Sequence, residues 1–185
     1  IEVEKKNRGK SITFHEFICA CFFYAASKNK SDLNILESGL FFRLDASNVL
    51  EKNIASVIMP IGIDHKNFLK SGTIDEIVYE KCSHLLHGSK IIISEQKSNL
   101  LKKIIKNISN NSSEKSIFTR DYNFKKNTKS FSYKDKFGQM NLPLPNLSGD
   151  FQISNVSTAI ATARTLKQFN ISEDHIRKAI TRIRS

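Results

Sequence analysis

Residues 55–94 read ASVIMPIGIDHKNFLKSGTIDEIVYEKCSHLLHGSKIIIS, and the order of apolar and polar runs in this stretch decides the fold class. Ala55 to Ile63 and Lys90 to Ser94 are compact apolar runs bounded by polar residues, with the density of strands buried on both faces. Between them, Thr73-Ile74-Asp75-Glu76 is a capping-box pattern: Thr73 can accept from the first-turn amide of Glu76 while the Glu76 side chain reaches back. A helix from Ile74 to about Leu86 follows, and Gly88 closes it. Strand, helix and strand at this spacing require a crossover connection, which is right-handed in nearly all proteins. The unit is therefore βαβ, and the fold class is α/β: a mostly parallel sheet flanked by helices.

On the amino-terminal side, Leu33 to Leu36 is a third strand-like run, and Thr13 to Ser27 reads as a helix that packs on the sheet. Its apolar positions Phe14, Phe17, Ile18, Cys21, Phe22 and Ala25 follow the helical period. On the carboxyl side, Leu100 to Ile108 is an amphipathic helix, and Ile117 to Phe118 and Lys129 to Lys134 are weaker strand candidates. Leu142-Pro143-Leu144-Pro145-Asn146 cannot be a central strand, because each proline removes a ladder donor, so it is an edge or a connecting arm. Gly149 opens a helix from Phe151 to Phe169, and Ser172 caps a last helix from Glu173 to about Ile183. At 185 residues, one domain is expected.

Composition narrows the function classes. Hydrophobic residues make up 39% and charged residues 25%, a soluble globular balance. The net charge of +11, from 29 Lys plus Arg against 18 Asp plus Glu, favours an anionic partner. The basic residues form no stripe and lack the interleaved aromatic and glycine motifs of RNA modules, so nucleic acid is not the expected partner. Cys19, Cys21 and Cys82 cannot pair completely and lack zinc-site spacing, which points to a reducing cytoplasm. The apolar stretch Phe14 to Ala26 is broken by His15 and Glu16 and falls short of the ~20 residues of a membrane span, so a buried helix is expected there. The start Ile1-Glu2-Val3-Glu4 is acidic, without the regions of a leader, and the missing initial Met reads as truncation.

Glu37 follows the Leu33 to Leu36 run and Asp64-His65 follows the next, the positions at which open α/β sheets place ligands. Glu37 and His65 could share a cation. Mg²⁺ prefers oxygen ligands, so such a site is workable when phosphate and water complete the shell. The plain alternative is two polar residues at strand ends.

Three motifs recur in a fixed order: Ile12-Thr13-Phe14-His15-Glu16-Phe17, then Leu36-Glu37-Ser38-Gly39-Leu40-Phe41-Phe42-Arg43-Leu44-Asp45-Ala46-Ser47-Asn48-Val49, then Ile61-Gly62-Ile63-Asp64-His65. Gly72-Thr73-Ile74, Glu80-Lys81, Leu142-Pro143-Leu144-Pro145-Asn146-Leu147 and Gly149-Asp150-Phe151-Gln152-Ile153-Ser154-Asn155 continue the series over nearly the whole chain. Together they resemble the folylpolyglutamate synthase and dihydrofolate synthase family of the Mur-ligase-like superfamily. The resemblance implies an ATP-dependent ligase that forms an acyl phosphate on a folate or dihydropteroate carboxylate and joins it to L-glutamate. It also implies a monomer, with Glu37 and His65 as Mg²⁺ ligands and Lys81 as a lysine carbamylated to supply a carboxylate near a second metal. Thr13, His15 and Asp45 would contact the pterin ring, and Gln152 and Asn155 the adenine. The plain alternatives are capping and packing for the first three, exposed helix positions for the amides, and a helix-surface Glu80-Lys81 pair.

The chain departs from the pattern at several places. Gly9-Lys10-Ser11 is only the tail of a phosphate-loop pattern, with Glu4 where its first glycine belongs, so the loop itself is expected upstream. The resemblance thus makes residues 1–185 a partial central domain without the phosphate-loop segment or the carboxyl-terminal glutamate-ligase domain. Phe41-Phe42 replaces a glycine pair, Phe151 a histidine, His15 an aromatic residue, and Cys82-Ser83 a small pair. A degenerate, non-catalytic remnant that binds nucleotide or folate, and a Mur-type amino-acid ligase, are the alternative readings.

Overall fold

The computed structural model describes residues 2–183. The readings made at Ile1 and at the chain end, Arg184-Ser185, lie outside the described residues. Helices α1 (Glu2–Asn7) and α2 (Phe14–Lys28) precede a parallel sheet of β1 (Ala55–Ile58), β2 (Lys90–Ile93) and β3 (Lys115–Ile117), with β2 in the centre. Helix α3 (Ile74–Cys82) links β1 to β2 and α4 (Ser98–Asn107) links β2 to β3, so the βαβ unit read from residues 55–94 is present and repeated once. An antiparallel meander follows, β4 (Tyr122–Lys126), β5 (Ser130–Asp135) and β6 (Gly138–Pro143), and helices α5 (Phe151–Thr165) and α6 (Glu173–Arg182) complete the order.

Side chains alternate across a strand, and β2 uses both faces. Ile92 joins a core formed with Tyr122, Phe131, Tyr133, Leu142 and the inner faces of α5 and α6. Ile91 and Ile93 join the opposite core, with Val78 and Cys82 of α3 and Leu100 and Ile104 of α4. The two sheets are stitched by Tyr122, whose hydroxyl donates to the Ile93 carbonyl at 3.0 Å and lies 3.2 Å from Thr158 Oγ1. Burial raises the Tyr122 phenol to about 12 and the Cys82 thiol to about 12, so both are neutral packing groups.

Three expectations need correction. Leu33 to Leu36 is not a strand: it pairs with nothing among the described residues, and Ile35 is 84% exposed. Apolar density supplies burial energy only where a neighbouring strand or layer exists to receive it. Helix α2 forms as read, but it buries no residue and Phe14 is 80% exposed, because it touches mainly α1 and the loop that follows. The β1 run stops at Ile58 instead of Ile63, since Pro60 has no N–H to give a ladder. The proline-rich segment behaves as read, contributing the end of β6, an edge strand. No helix among the described residues is long and apolar enough to cross a membrane.

The cap of α3 differs from the box in its pattern. Thr73 Oγ1 accepts from the Glu76 amide at 3.3 Å, but the Glu76 carboxylate reaches past Thr73. It accepts from the amides of Lys70, Ser71 and Gly72 at 2.9, 2.7 and 3.1 Å and from the Ser71 hydroxyl at 2.6 Å. Gly72 sits at φ +61, which lets the chain curl around the carboxylate. These donors, Ser71 foremost, hold Glu76 at about 2 against an ordinary 4.5. The folded value is depressed, so the stabilisation is complete above 4.5 and is lost as pH falls toward 2. Urea melts across that window are expected to show the wild type losing stability relative to Glu76→Gln as the solution is acidified.

Candidate functional site

The loop of residues 38–50 is organised by two carboxylates from different places in the chain. Asp45 has a side chain only 2% exposed. It accepts from the Leu40 amide at 2.9 Å, from the Ser47 amide at 2.9 Å and from the Ser47 hydroxyl at 2.6 Å, and His15 Nε2 lies 3.5 Å away. Burial pushes this carboxyl upward, but the Ser47 and Leu40 donors outweigh it and leave the group below its ordinary value. The second carboxylate is Glu80 on α3, which takes Arg43 in a two-pronged pair at 2.9 and 2.9 Å while its carbonyl accepts from the Arg43 amide at 2.9 Å. Arg43 also lies over the Tyr79 ring at 5.7 Å. The helix-surface Glu80-Lys81 pair is therefore not formed: Glu80 is taken by Arg43, and Lys81 turns to the ring of Phe41, 5.7 Å from its centroid.

The predicted pterin-contacting residues come together. Thr13 caps α2, its amide and hydroxyl both donating to Glu16 Oε2 at 2.6 and 2.8 Å, which sets the first turn on which His15 projects toward Asp45. Gly39 passes so close beneath the His15 ring that a Cβ there would lie 2.6 Å from Cε1, so any larger residue would displace the ring from its present place. A cavity of about 430 Å³ opens at the start of α2, lined by Gly9, Ile12, Thr13 and Phe14.

The predicted metal ligands do not converge in the same way. Glu37 lies exposed in the irregular segment before the loop, not at a strand end. His65 follows β1 in a left-handed conformation, φ +52, with its amide on Asp64 Oδ1 at 2.7 Å and its Nε2 3.3 Å from Asp64 Oδ2. The Phe41 ring packs against the His65 ring at 6.1 Å and also carries Lys81. Among the described residues no group of three or more His, Cys, Asp or Glu side chains is placed to hold a metal ion. A Mg²⁺ ion wants several oxygen donors around one point, and this arrangement does not fit it.

Gln152 and Asn155 lie in the first turns of α5, half-buried and bonded to each other, Asn155 Nδ2 donating to Gln152 Oε1 at 3.2 Å. Sequence reasoning missed Gln96, just past the carboxyl end of β2. It donates to the Met59 carbonyl at 2.9 Å and accepts from the Ile61 amide at 3.1 Å, which fixes the loop leading to His65. A polar residue three positions beyond the apolar run Ile91 to Ile93 was the available signal. Another cleft, about 410 Å³, lies at the amino end of β3. Its charges are largely paired, Lys136 with Glu114 at 3.0 Å and Arg120 with Asp121 at 2.7 Å, and none of the motifs reaches it.

No protein-family model matches the chain. The dihydrofolate synthase/folylpolyglutamate synthase of Haemophilus influenzae is 28% identical over 179 residues, covering 96% of this chain and 39% of the relative. An FPGS-AMPPCP complex superposes with a TM-score of 0.86 at 22% identity, over 100% of this chain and 47% of that one. E. coli FolC in complex with DHPP and ADP superposes with a TM-score of 0.83 at 25% identity, over 96% and 41%. Along most of its length the chain is similar to folylpolyglutamate synthases and dihydrofolate synthases. It spans about two fifths of the length of the curated relatives it matches along most of its own length.

The ties of the 38–50 loop to α3 set how rigidly its motif is presented. A double-mutant cycle on Arg43→Ala and Glu80→Ala, read by urea unfolding, is expected to return a coupling of about 1–2 kcal/mol, the size of a half-buried two-pronged pair. Additive single-mutant effects would mean that the loop is not held by this pair.

Proposed function

We propose that the chain is the central part of an ATP-dependent ligase that joins L-glutamate to a folate or dihydropteroate carboxylate, acting as a monomer in the cytoplasm. The observation that carries this reading is the likeness, over 96% of the chain, to E. coli FolC, which is described with DHPP and ADP. The closeness of His15 to Asp45, and the cavity that Thr13 lines at the start of the same helix, support it locally.

In this reading ATP transfers its terminal phosphoryl group to the substrate carboxylate. The amine of glutamate then attacks the acyl phosphate, an amide forms, and phosphate leaves beside ADP. The chain's own contribution is positioning and charge. Asp45 spends both oxygens on Leu40, Ser47 and His15, so it acts as a positioning residue that shapes the loop, and Thr13, tied to Glu16, positions the turn from which His15 presents a polar edge to the pterin. Gln152 and Asn155 address the adenine with the amide atoms that their mutual bond leaves over. No step is assigned to a divalent cation, because the donor set around Phe41 does not fit one.

The packing of Phe41 favours a second reading, a non-catalytic remnant that binds nucleotide or folate. Calorimetry with AMPPCP and with dihydropteroate, followed by an assay for glutamate-dependent ADP release, separates the two. Saturable binding of both ligands, with AMPPCP weakened about tenfold by Asn155→Ala, is expected under either reading, and ADP release only under the first. Failure to bind either ligand would contradict both.

A further inference from the structure

Phe41 combines three features that rarely occur together. Its backbone is left-handed at φ +57, a conformation in which the Cβ of an L-residue crowds the neighbouring carbonyl. Its ring is nevertheless buried, with 9% of the residue exposed. That ring has the Lys81 ammonium over it at 5.7 Å and the His65 ring against it, edge to face, at 6.1 Å. A bulky residue keeps an unfavourable backbone only where its surroundings over-determine it. Here the surroundings are an ammonium on the ring face, which is a cation–π contact, and an aromatic partner beside it. The loop that presents the ring is fixed on both sides, by Asp45 to the Leu40 amide and by Glu80 to Arg43.

We infer that Phe41 is a plug: its ring fills the space shared by His65 and Lys81, with the Lys81 ammonium seated on it, and so keeps a divalent cation out of this part of the molecule. Two effects act in the same direction. The ring takes the volume that a cation and its waters would need, and the ammonium repels a second positive charge at close range. Glycine at this position would remove the ring and relieve the backbone together. The inference rests on the packing of Phe41 and stands whether or not the chain takes a nucleotide.

Mn²⁺ serves as the probe, titrated into the full chain and read by loss of the free-ion paramagnetic resonance signal and by broadening of the His65 ring protons. Wild type and Phe41→Leu, which keeps most of the volume, are expected to show neither saturable binding nor His65 broadening. Phe41→Gly is expected to gain one site, binding Mn²⁺ at least about tenfold more tightly than wild type, and His65→Ala in that background is expected to remove it. Saturable, His65-dependent binding to the wild type would overturn the inference. So would a folded Phe41→Gly without any gain, or an equal gain in Phe41→Leu. If Phe41→Gly does not fold, Phe41→Ala carries the same comparison, and the wild-type His65 measurement decides by itself.

Discussion

A strand with no exposed side chain needs a packed layer on each of its faces, and β2 imposes that condition on this molecule. Ile91, Ile92 and Ile93 are all fully buried. The odd-numbered pair is covered by α3 and α4, and Ile92 is covered by the antiparallel meander with α5 and α6. Everything that positions the candidate site hangs on those two layers. Helix α3 carries Glu80 and Lys81 to the 38–50 loop, and α5 carries Gln152 and Asn155 in its first turns. Gln96, just past the carboxyl end of β2, fixes the route of the chain to His65.

The site shows how buried carboxylates organise a segment that has no ladder of its own. Residues 38–50 form neither helix nor strand, so their backbone groups must find other partners. Asp45 satisfies two amides and a hydroxyl from within the loop, and Glu80 satisfies Arg43 from outside it. A loop held in this way can keep Phe41 in a conformation that an unsupported chain would abandon. The left-handed Phe41 is thus accommodated by local structure.

The central βαβ unit was legible because its strands are nearly continuous apolar runs and its helix begins with a strong cap. The meander was legible in part: Lys129 to Lys134 falls on β5 and the proline-rich segment ends the edge strand β6, but β4 was not read. Tyr122-Asn123-Phe124-Lys125-Lys126 buries one residue fully amid polar neighbours, and such a strand announces itself only through its partners. Leu33 to Leu36 failed in the opposite way: the residue types suit a strand, but pairing is a property of what lies alongside. At the site, residue types pointed to Thr13, His15 and Asp45, whereas the closeness of His15 to Asp45, across thirty positions of chain, could be seen only in the fold. The tie of Glu80 to Arg43 could likewise be seen only in the fold.

The account turns on the claim that Asp45 holds the 38–50 loop in one conformation. Amide hydrogen exchange at Leu40 and Ser47, compared between wild type and Asp45→Ala, tests this most directly. The account requires protection of both amides in the wild type, its selective loss in the variant, and unchanged protection of Ile91 and Ile92 in β2. Exchange of Leu40 and Ser47 at the unprotected rate in the wild type would contradict it.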